Sequence, residues 1–355
     1  MSLYRYLLRP LIFRLSPDRA HDLVIGVCKY MEKRRWLLDP IERCFSVTDA
    51  GLKRKVFGLE FPNPVGLAAG FDKNATALGM MQALGFGHAE VGSVTARASA
   101  GNPKPRNFRL VCDESAINRM GLGNDGAAVV AERIGKSRHT IPVGVNIAKT
   151  NDPGITGQAA LEDYRTSFQA VRAVADFITL NVSCPNAGDG RTFEEPGLLD
   201  QLLQFLAIGS DQPRPPVLVK LSVDLAPDQV AELVEVCTAH RVDGYVAVNT
   251  SVSRAGLQTS AERLERIGPG GLSGRAIAAR STEFIAYLHQ TSKGHQPIIG
   301  VGGIFTAADA IEKLNAGASL VQVYTGLIFE GPGVVRRICR GLVRQGRRKT
   351  GDGKR

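Results

Sequence analysis

The stretch 176-DFITLNVSCPNAGDGRT-192 ends an apolar run in Asn181 and then places Cys184 and Asn186 in a polar, glycine-flanked segment. A thiol exposed in such a loop can act as a proton-transferring base or as a nucleophile. No histidine lies beside Cys184 in sequence to form a Cys–His pair. Further asparagines stand at Asn118, Asn146 and Asn249. Amides cannot exchange protons near neutral pH, but each offers two donors and an acceptor. Together they suit a flat ring with both donor and acceptor edges, a pyrimidine or a flavin. Lys73 and Lys220 supply positive charge where a substrate carboxylate or a reduced, anionic flavin would need it. A lone asparagine is ordinarily a turn former and a lone lysine solvated surface. Five asparagines and two lysines at strand ends are harder to explain that way.

Those residues need elements that bring them together. Eight β-rich apolar runs recur from residue 64 onward: PVGLAAG (64), HAEVGSV (88), IPVGVNIA (141), DFITLNVS (176), PVLVKLS (216), DGYVAVNT (243), PIIGVGG (297) and ASLVQVYTG (318). Helical patterns separate them. Runs apolar on both faces imply a parallel sheet covered by helices, and eight units are the count at which the sheet closes into a (β/α)8 TIM barrel. An open doubly wound sheet is the alternative, disfavoured because no G-x-G-x-x-G follows the first run. In a barrel the strand ends meet on one rim. That rim would collect 69-AGFDKN with Lys73, then Ser93, Asn146, Asn181 with Cys184 and Asn186, Lys220, and Asn249 with Thr250. Glycine turns 300-GVGGIF-305 and 323-VYTG-326 follow the last two runs, and a third glycine loop, 268-GPGGLSGR-275, precedes them. Backbone N–H groups in such turns can approach an anion closely, so a phosphate-bearing cofactor is expected.

The chain of 355 residues is 44% hydrophobic, sufficient for a large core. It lacks an apolar run of about 18 residues and a signal-peptide core, which points to the cytosol or a membrane face touching it. Six scattered cysteines without C-x-x-C and six scattered histidines give no reason to expect disulfides or a metal. The net charge of +10 concentrates at the ends: residues 1–55 hold 12 basic against 6 acidic side chains, and residues 336–355 hold 9 against 1. The body is mildly acidic, which argues against a nucleic-acid partner. The run 4-YRYLLRPLIFRL-15 places Tyr4, Leu7, Leu8, Leu11, Ile12 and Leu15 on one stripe, with Pro10 kinking or restarting the helix. A second helix opens at Ser16 as N-cap with Pro17 following. These helices either lie on an anionic membrane surface or form a lid on the main domain. The basic run 344-RQGRRKTGDGKR-355 reads as a solvated tail.

The stretches AAGFDK (68–73), GNPKPRNFRL (101–110), INRMGLGNDG (117–126), NVSCPN (181–186), GGLSGR (270–275), IIGVGGI (298–304) and GASLVQVYTG (317–326), taken in order, resemble the dihydroorotate dehydrogenase family along nearly the whole chain. The amphipathic N-terminus ending in SPDRAH (16–21) resembles its quinone-linked, membrane-associated class. The resemblance implies an FMN barrel that oxidises (S)-dihydroorotate to orotate in pyrimidine synthesis. A base would take the C5 proton while the C6 hydride passes to the flavin, and quinone would reoxidise it. By position, Cys184 would be the base, and Lys73, Asn118, Arg119, Met120, Gly121, Leu122, Asn181, Asn186, Asn249 and Thr250 would hold substrate. FMN would fall to Ala69, Gly70, Lys73, Ser93, Asn146, Asn181, Lys220, Val248, Gly274, Gly303, Tyr324 and Thr325, and a quinone tunnel to His21, Arg109 and Tyr324. The implied layout is a membrane and tunnel segment over 1–40, a barrel over 41–345 and a basic tail over 346–355. A monomer on the cytoplasmic face of a bacterial inner membrane, or on a mitochondrial one, is expected. Three positions depart from the class: Cys184 where serine is usual, Val248 where threonine is usual, and Ser93 in place of threonine. The first two match the soluble type and keep open a related FMN oxidoreductase with another dihydropyrimidine, or with fumarate or NAD as acceptor. A non-catalytic flavin- or phosphate-binding barrel is a third reading.

Overall fold

The computed structural model describes residues 4–183 and 193–349. Eight parallel strands close into a barrel in sequence order: β1 (Val65–Leu67), β2 (His88–Val94), β3 (Val143–Ile147), β4 (Phe177–Asn181), β5 (Val217–Leu221), β6 (Gly244–Ala247), β7 (Ile298–Val301) and β8 (Ala318–Val323), with β8 pairing back onto β1. Each of the eight runs read from sequence forms one of them. Nearly every strand residue is buried, because one face meets the barrel interior and the other the covering helices.

The interior fits through unequal side chains. A Cβ on Gly66 would come 2.1 Å from the His88 ring, and one on Gly144 2.1 Å from the Phe177 ring. Glycine on one strand therefore leaves room for a large ring on the next. A hairpin of Arg54–Val56 with Leu59–Phe61 covers the end where the strands begin. Its Phe61 meets His88 edge-on at 5.3 Å, and Phe57 lies 6.5 Å from Phe177. The opposite end, where the strands finish, is left open for chemistry.

Over that open end lies a small antiparallel sheet, in which Ser115–Asn118 is flanked by Asn107–Leu110 and Gly271–Gly274. Here the structure corrects the reading of 268-GPGGLSGR as a glycine loop, since its middle is a strand. Glycine and serine fill three of those four positions and have low strand propensity, so the pattern is silent. Glycine is required by crowding: a Cβ at Gly271 would meet Thr250 Oγ1 at 2.0 Å.

The N-terminal segment packs against the rim side as three helices following one π-helical turn. The turn is Tyr4–Leu8, followed by Arg9–Ile12, Pro17–Glu32 and Arg35–Phe45. Pro10 sits in the first turn of a restarted helix, and Ser16 caps the next by accepting from the Arg19 N–H, as its sequence indicates. The helix Arg35–Phe45 was not legible, because Pro40 inside it reads as a stop. The apolar stripe faces largely outward: Leu7, Leu11, Leu23 and Trp36 are 59, 58, 55 and 71% exposed. At the other end of the chain, residues 344–349 continue the helix Val334–Lys349 rather than beginning a tail.

Candidate active site

The strand ends and the small sheet border a cavity of about 140 Å³, open at one side. Lys73, Asn118, Met120, Gly121, Leu122, Asn181, Asn249 and Thr250 line it, and so do Ala69, Gly70, Ser93, Lys220, Val248, Gly274, Gly303, Tyr324 and Thr325. Cys184 and Asn186 lie outside the described residues.

The amides form one connected chain along the wall. Asn249 Nδ2 donates to Asn181 Oδ1 at 3.1 Å and to Ser183 Oγ at 2.9 Å, while its Oδ1 accepts from the Thr250 N–H at 2.9 Å. Asn181 Nδ2 donates to Ser93 Oγ at 2.8 Å, and the Ser93 hydroxyl donates to Asn146 Oδ1. Asn146 ends the chain by donating to Glu90 Oε1 at 2.7 Å. Asn146 is thus buried under Ser93 rather than on the cavity surface. Tyr164 secures the β4 end by donating to the Asn181 carbonyl at 2.9 Å. Such a network holds each amide in one orientation.

Two cations border the same space. Lys220 is 6% exposed, and among the described residues its ammonium has no hydrogen-bond partner, so it is available to an anion in the cavity. Lys73 Nζ lies 3.1 Å from Met120 Sδ. Arg119 points elsewhere: its guanidinium donates to the Ile267 carbonyl and lies 4.6 Å from the Phe108 ring centroid. Its backbone N–H meets the Arg106 carbonyl at 2.8 Å, and no part of Arg119 lines the cavity.

At the end formed by β7 and β8, Gly274, Gly302, Gly303 and Gly326 gather with Ser273 and Thr325, whose hydroxyl donates to Ser273 Oγ at 3.0 Å. Gly303 needs to be glycine twice over: its φ is +72° and a Cβ would come 2.3 Å from Ala278 Cβ. Backbone is therefore laid bare at one end of the cavity.

On the side of the N-terminal helices, His21, Phe71 and Tyr324 form an edge-to-face series at 5.5 and 6.0 Å. Burial, then the nearby charge of Lys73, lowers His21 to about 4, so it stands neutral at physiological pH. Burial pushes the Tyr324 hydroxyl up to about 12 and keeps it protonated. Arg109 donates to the Ile12 and Leu15 carbonyls and faces the Phe13 ring at 4.4 Å. His21 and Arg109 stand outside the cavity wall, and His21 is joined to it through Phe71 and Tyr324.

Sequence reading missed Glu90, Gln322, Ser273, Ile277 and Ile304. Glu90 is fully buried and accepts from both Asn146 and Gln322. Its signal was present, since an acid or amide inside a strand buried on both faces, as in HAEVGSV and SLVQV, needs a reason to be there. Ser273, Ile277 and Ile304 gave none.

The family model described as dihydroorotate dehydrogenase matches residues 51–345. The chain belongs to the dihydroorotate dehydrogenase family. A relative from Gloeobacter violaceus, named dihydroorotate dehydrogenase (quinone), is 44% identical over 344 residues, covering 96% of this chain and 94% of the relative. One of the same name from Synechococcus sp. is 43% identical, covering 96 and 93%. A crystal structure of DHODH from Eimeria tenella in complex with ferulenol superposes with a TM-score of 0.80 at 31% identity, covering 96% of each chain. The alignments with these relatives cover more of the chain than the family model does.

Proposed function

We propose that the protein oxidises (S)-dihydroorotate to orotate with FMN as cofactor and quinone as electron acceptor, in pyrimidine synthesis. The carrying observation is the convergence of Asn118, Asn181, Asn249, Thr250, Lys73 and Lys220 on one cavity in a chain of this family. Amides that both donate and accept match the imide edge of a dihydropyrimidine, and a lysine matches its carboxylate.

The residues present fit FMN. The bare backbone at Gly274, Gly303 and Thr325 suits its phosphate. Gln322, which lines the cavity, keeps an Oε1 without a partner among the described residues, and Lys220 borders the same space. Ala69, Gly70, Ser93, Asn181, Val248 and Tyr324 would enclose the ring, Asn146 acting from beneath through Ser93. Bound FMN supplies a two-electron acceptor for the hydride leaving substrate C6. The chain's part is to hold C6 toward that acceptor through the asparagines and Lys73, and to take the C5 proton on the Cys184 thiolate. A thiol ionises near pH ~8.5, far below a serine hydroxyl.

His21, Arg109 and Tyr324 would border the quinone's route, with the exposed leucines of the N-terminal helices resting on a membrane. No helix among the described residues is long and apolar enough to cross one.

Anaerobic mixing tests the reading. Dihydroorotate should bleach the flavin band and a short-chain quinone should restore it; a yellow protein left unbleached would overturn the substrate. A second reading, a soluble acceptor, draws on Cys184 and Val248, the latter buried at the cavity wall. Bleaching that fumarate or NAD reverses and quinone does not would establish it.

A further inference from the structure

The helix Val334–Lys349 carries charge of one sign only: VVRRICRGLVRQGRRK holds seven basic residues and no acidic one. Val334, Val335, Ile338, Cys339 and Leu342 are buried against the rest of the protein, while Arg337, Arg340, Arg344 and Arg347 are exposed. Their spacing of three, four and three residues sets these arginines in one row along the outer face. At ~1.5 Å per residue the row is about 15 Å long. Among the described residues only its ends are ion-paired, Arg337 with Glu330 at 3.1 Å and Arg347 with Asp49 at 3.4 Å. A cation stabilises a helix in its last turn, which accounts for Arg347 but not for Arg337, Arg340 or Arg344.

The row borders the N-terminal segment at both ends. At its start, Tyr4 Oη donates to the Ile328 carbonyl at 2.7 Å, and Arg5 lies 3.6 Å from the same Glu330 that Arg337 meets. Tyr6, Leu7, Leu8 and Leu11, all exposed, follow directly. At its far end, the Asp49 that pairs with Arg347 comes just after the helix Arg35–Phe45, whose Trp36 is exposed. A basic row thus adjoins an apolar one.

We propose that the arginine face of the helix Val334–Lys349 is a second membrane contact, which binds the phosphate groups of anionic lipids beside the apolar face of the N-terminal helices. The inference rests on those helices lying on a membrane. It supplies what they lack: apolar side chains enter any bilayer, and a row of cations selects one with a negative surface. Guanidinium groups suit that partner, since each can meet a phosphate through two N–H bonds. A nucleic acid offers the same phosphates, but no aromatic side chain stands in the helix to stack on bases, and the adjoining leucines would have no use there.

Arg340→Gln combined with Arg344→Gln removes two charges from exposed positions and breaks no ion pair among the described residues, so the fold and flavin bleaching should stay at the parent level. The test is sedimentation of the full chain with two kinds of vesicle, phosphatidylcholine alone and phosphatidylcholine mixed with phosphatidylglycerol. On the mixed vesicles the double variant should bind about 25-fold more weakly than the parent, at roughly fivefold for each basic side chain near an anionic surface. On phosphatidylcholine alone the two should bind alike. Added salt should weaken the parent on mixed vesicles more than the variant.

Equal binding of parent and variant to the mixed vesicles would overturn the proposal, and so would an equal loss on both kinds. A parent that sediments equally with both kinds would leave the N-terminal helices on the membrane and take the arginine row off it. A parent that sediments with neither would sink the membrane reading itself and the row's part in it; capture by a DNA duplex under the same conditions would then give the row a nucleic-acid partner instead.

Discussion

The barrel rim and the N-terminal helices are built on opposite plans. At the rim the polar groups are buried and bonded to one another, so that Asn146, Ser93, Asn181 and Asn249 hold single orientations. In the N-terminal helices apolar side chains are exposed, and buried residues are few: Asp18, Ala20, Cys28 and Leu38. Val24, Ile25, Met31, Ile41 and Phe45 pack against the main core, and polar contacts add to that hold. Asp18 accepts from the Arg106 N–H at 3.0 Å and from Asn107 Nδ2 at 2.6 Å, Glu32 accepts from the Gly79 N–H at 3.0 Å, and Arg109 reaches their carbonyls. A rigid polar site suits a small polar substrate that must be aligned for bond breaking. An apolar surface held at a few points suits an acceptor that arrives from a lipid phase. On the proposed reading, the two half-reactions fall to separate parts of one chain.

The largest expected effect lies at the rim. Cys184→Ala should slow flavin reduction by dihydroorotate about 10²–10⁴-fold, the usual contribution of a positioned base, and leave reoxidation by quinone at the parent rate. An alanine variant as fast as the parent would take Cys184 out of the chemistry. Next come the helices: glutamate at both Leu7 and Leu11 should weaken binding to anionic vesicles by about tenfold or more, given ~1.5–3 kcal/mol for each buried leucine. Sedimentation with vesicles reads this directly, and unchanged binding would move the membrane face elsewhere. A smaller change, Asp18→Ala, strips two donors of their acceptor and should loosen the helices by about 1–3 kcal/mol. Proteolysis within residues 4–45 should then rise while thermal unfolding of the barrel barely moves; equal sensitivity of both would erase the distinction.

The smallest effect is in pH. Burial lowers His21 to about 4 and His88, deep in the barrel, to about 3. Between about pH 6.5 and these values the unfolded chain binds protons that the folded one does not, so each histidine costs stability as pH falls through that window. His21→Gln should relieve the loosening of the helices on acidification and leave the acid sensitivity of the barrel, which follows His88. Hydrogen exchange at pH 5 and pH 7 separates the two regions.

How much of this was legible follows the same division. All eight strands could be read, because a strand buried on both faces writes itself as an uninterrupted apolar run. The rim asparagines and lysines stood out for the converse reason, as polar residues closing such runs. The small sheet over the cavity was hidden, since Gly271–Gly274 is dictated by contact with Thr250 rather than by propensity. Gln322 and Glu90 were overlooked inside runs read as apolar, although their very presence there was informative. In the N-terminal helices the spacing gave the stripe and Ser16 gave the cap, but which face packs was invisible. Periodicity describes an apolar face without saying whether protein or lipid covers it, and Leu7 and Leu11 turned out uncovered.

The most direct test measures both half-reactions in the full chain and in a chain beginning at residue 36, which loses the helices through Glu32. The division of labour predicts that the shortened protein keeps its flavin and is bleached by dihydroorotate at close to the full-length rate, while quinone restores the flavin far more slowly. Loss of both half-reactions to the same degree would contradict it, and would make the N-terminal helices part of the barrel's folding instead of the acceptor's path.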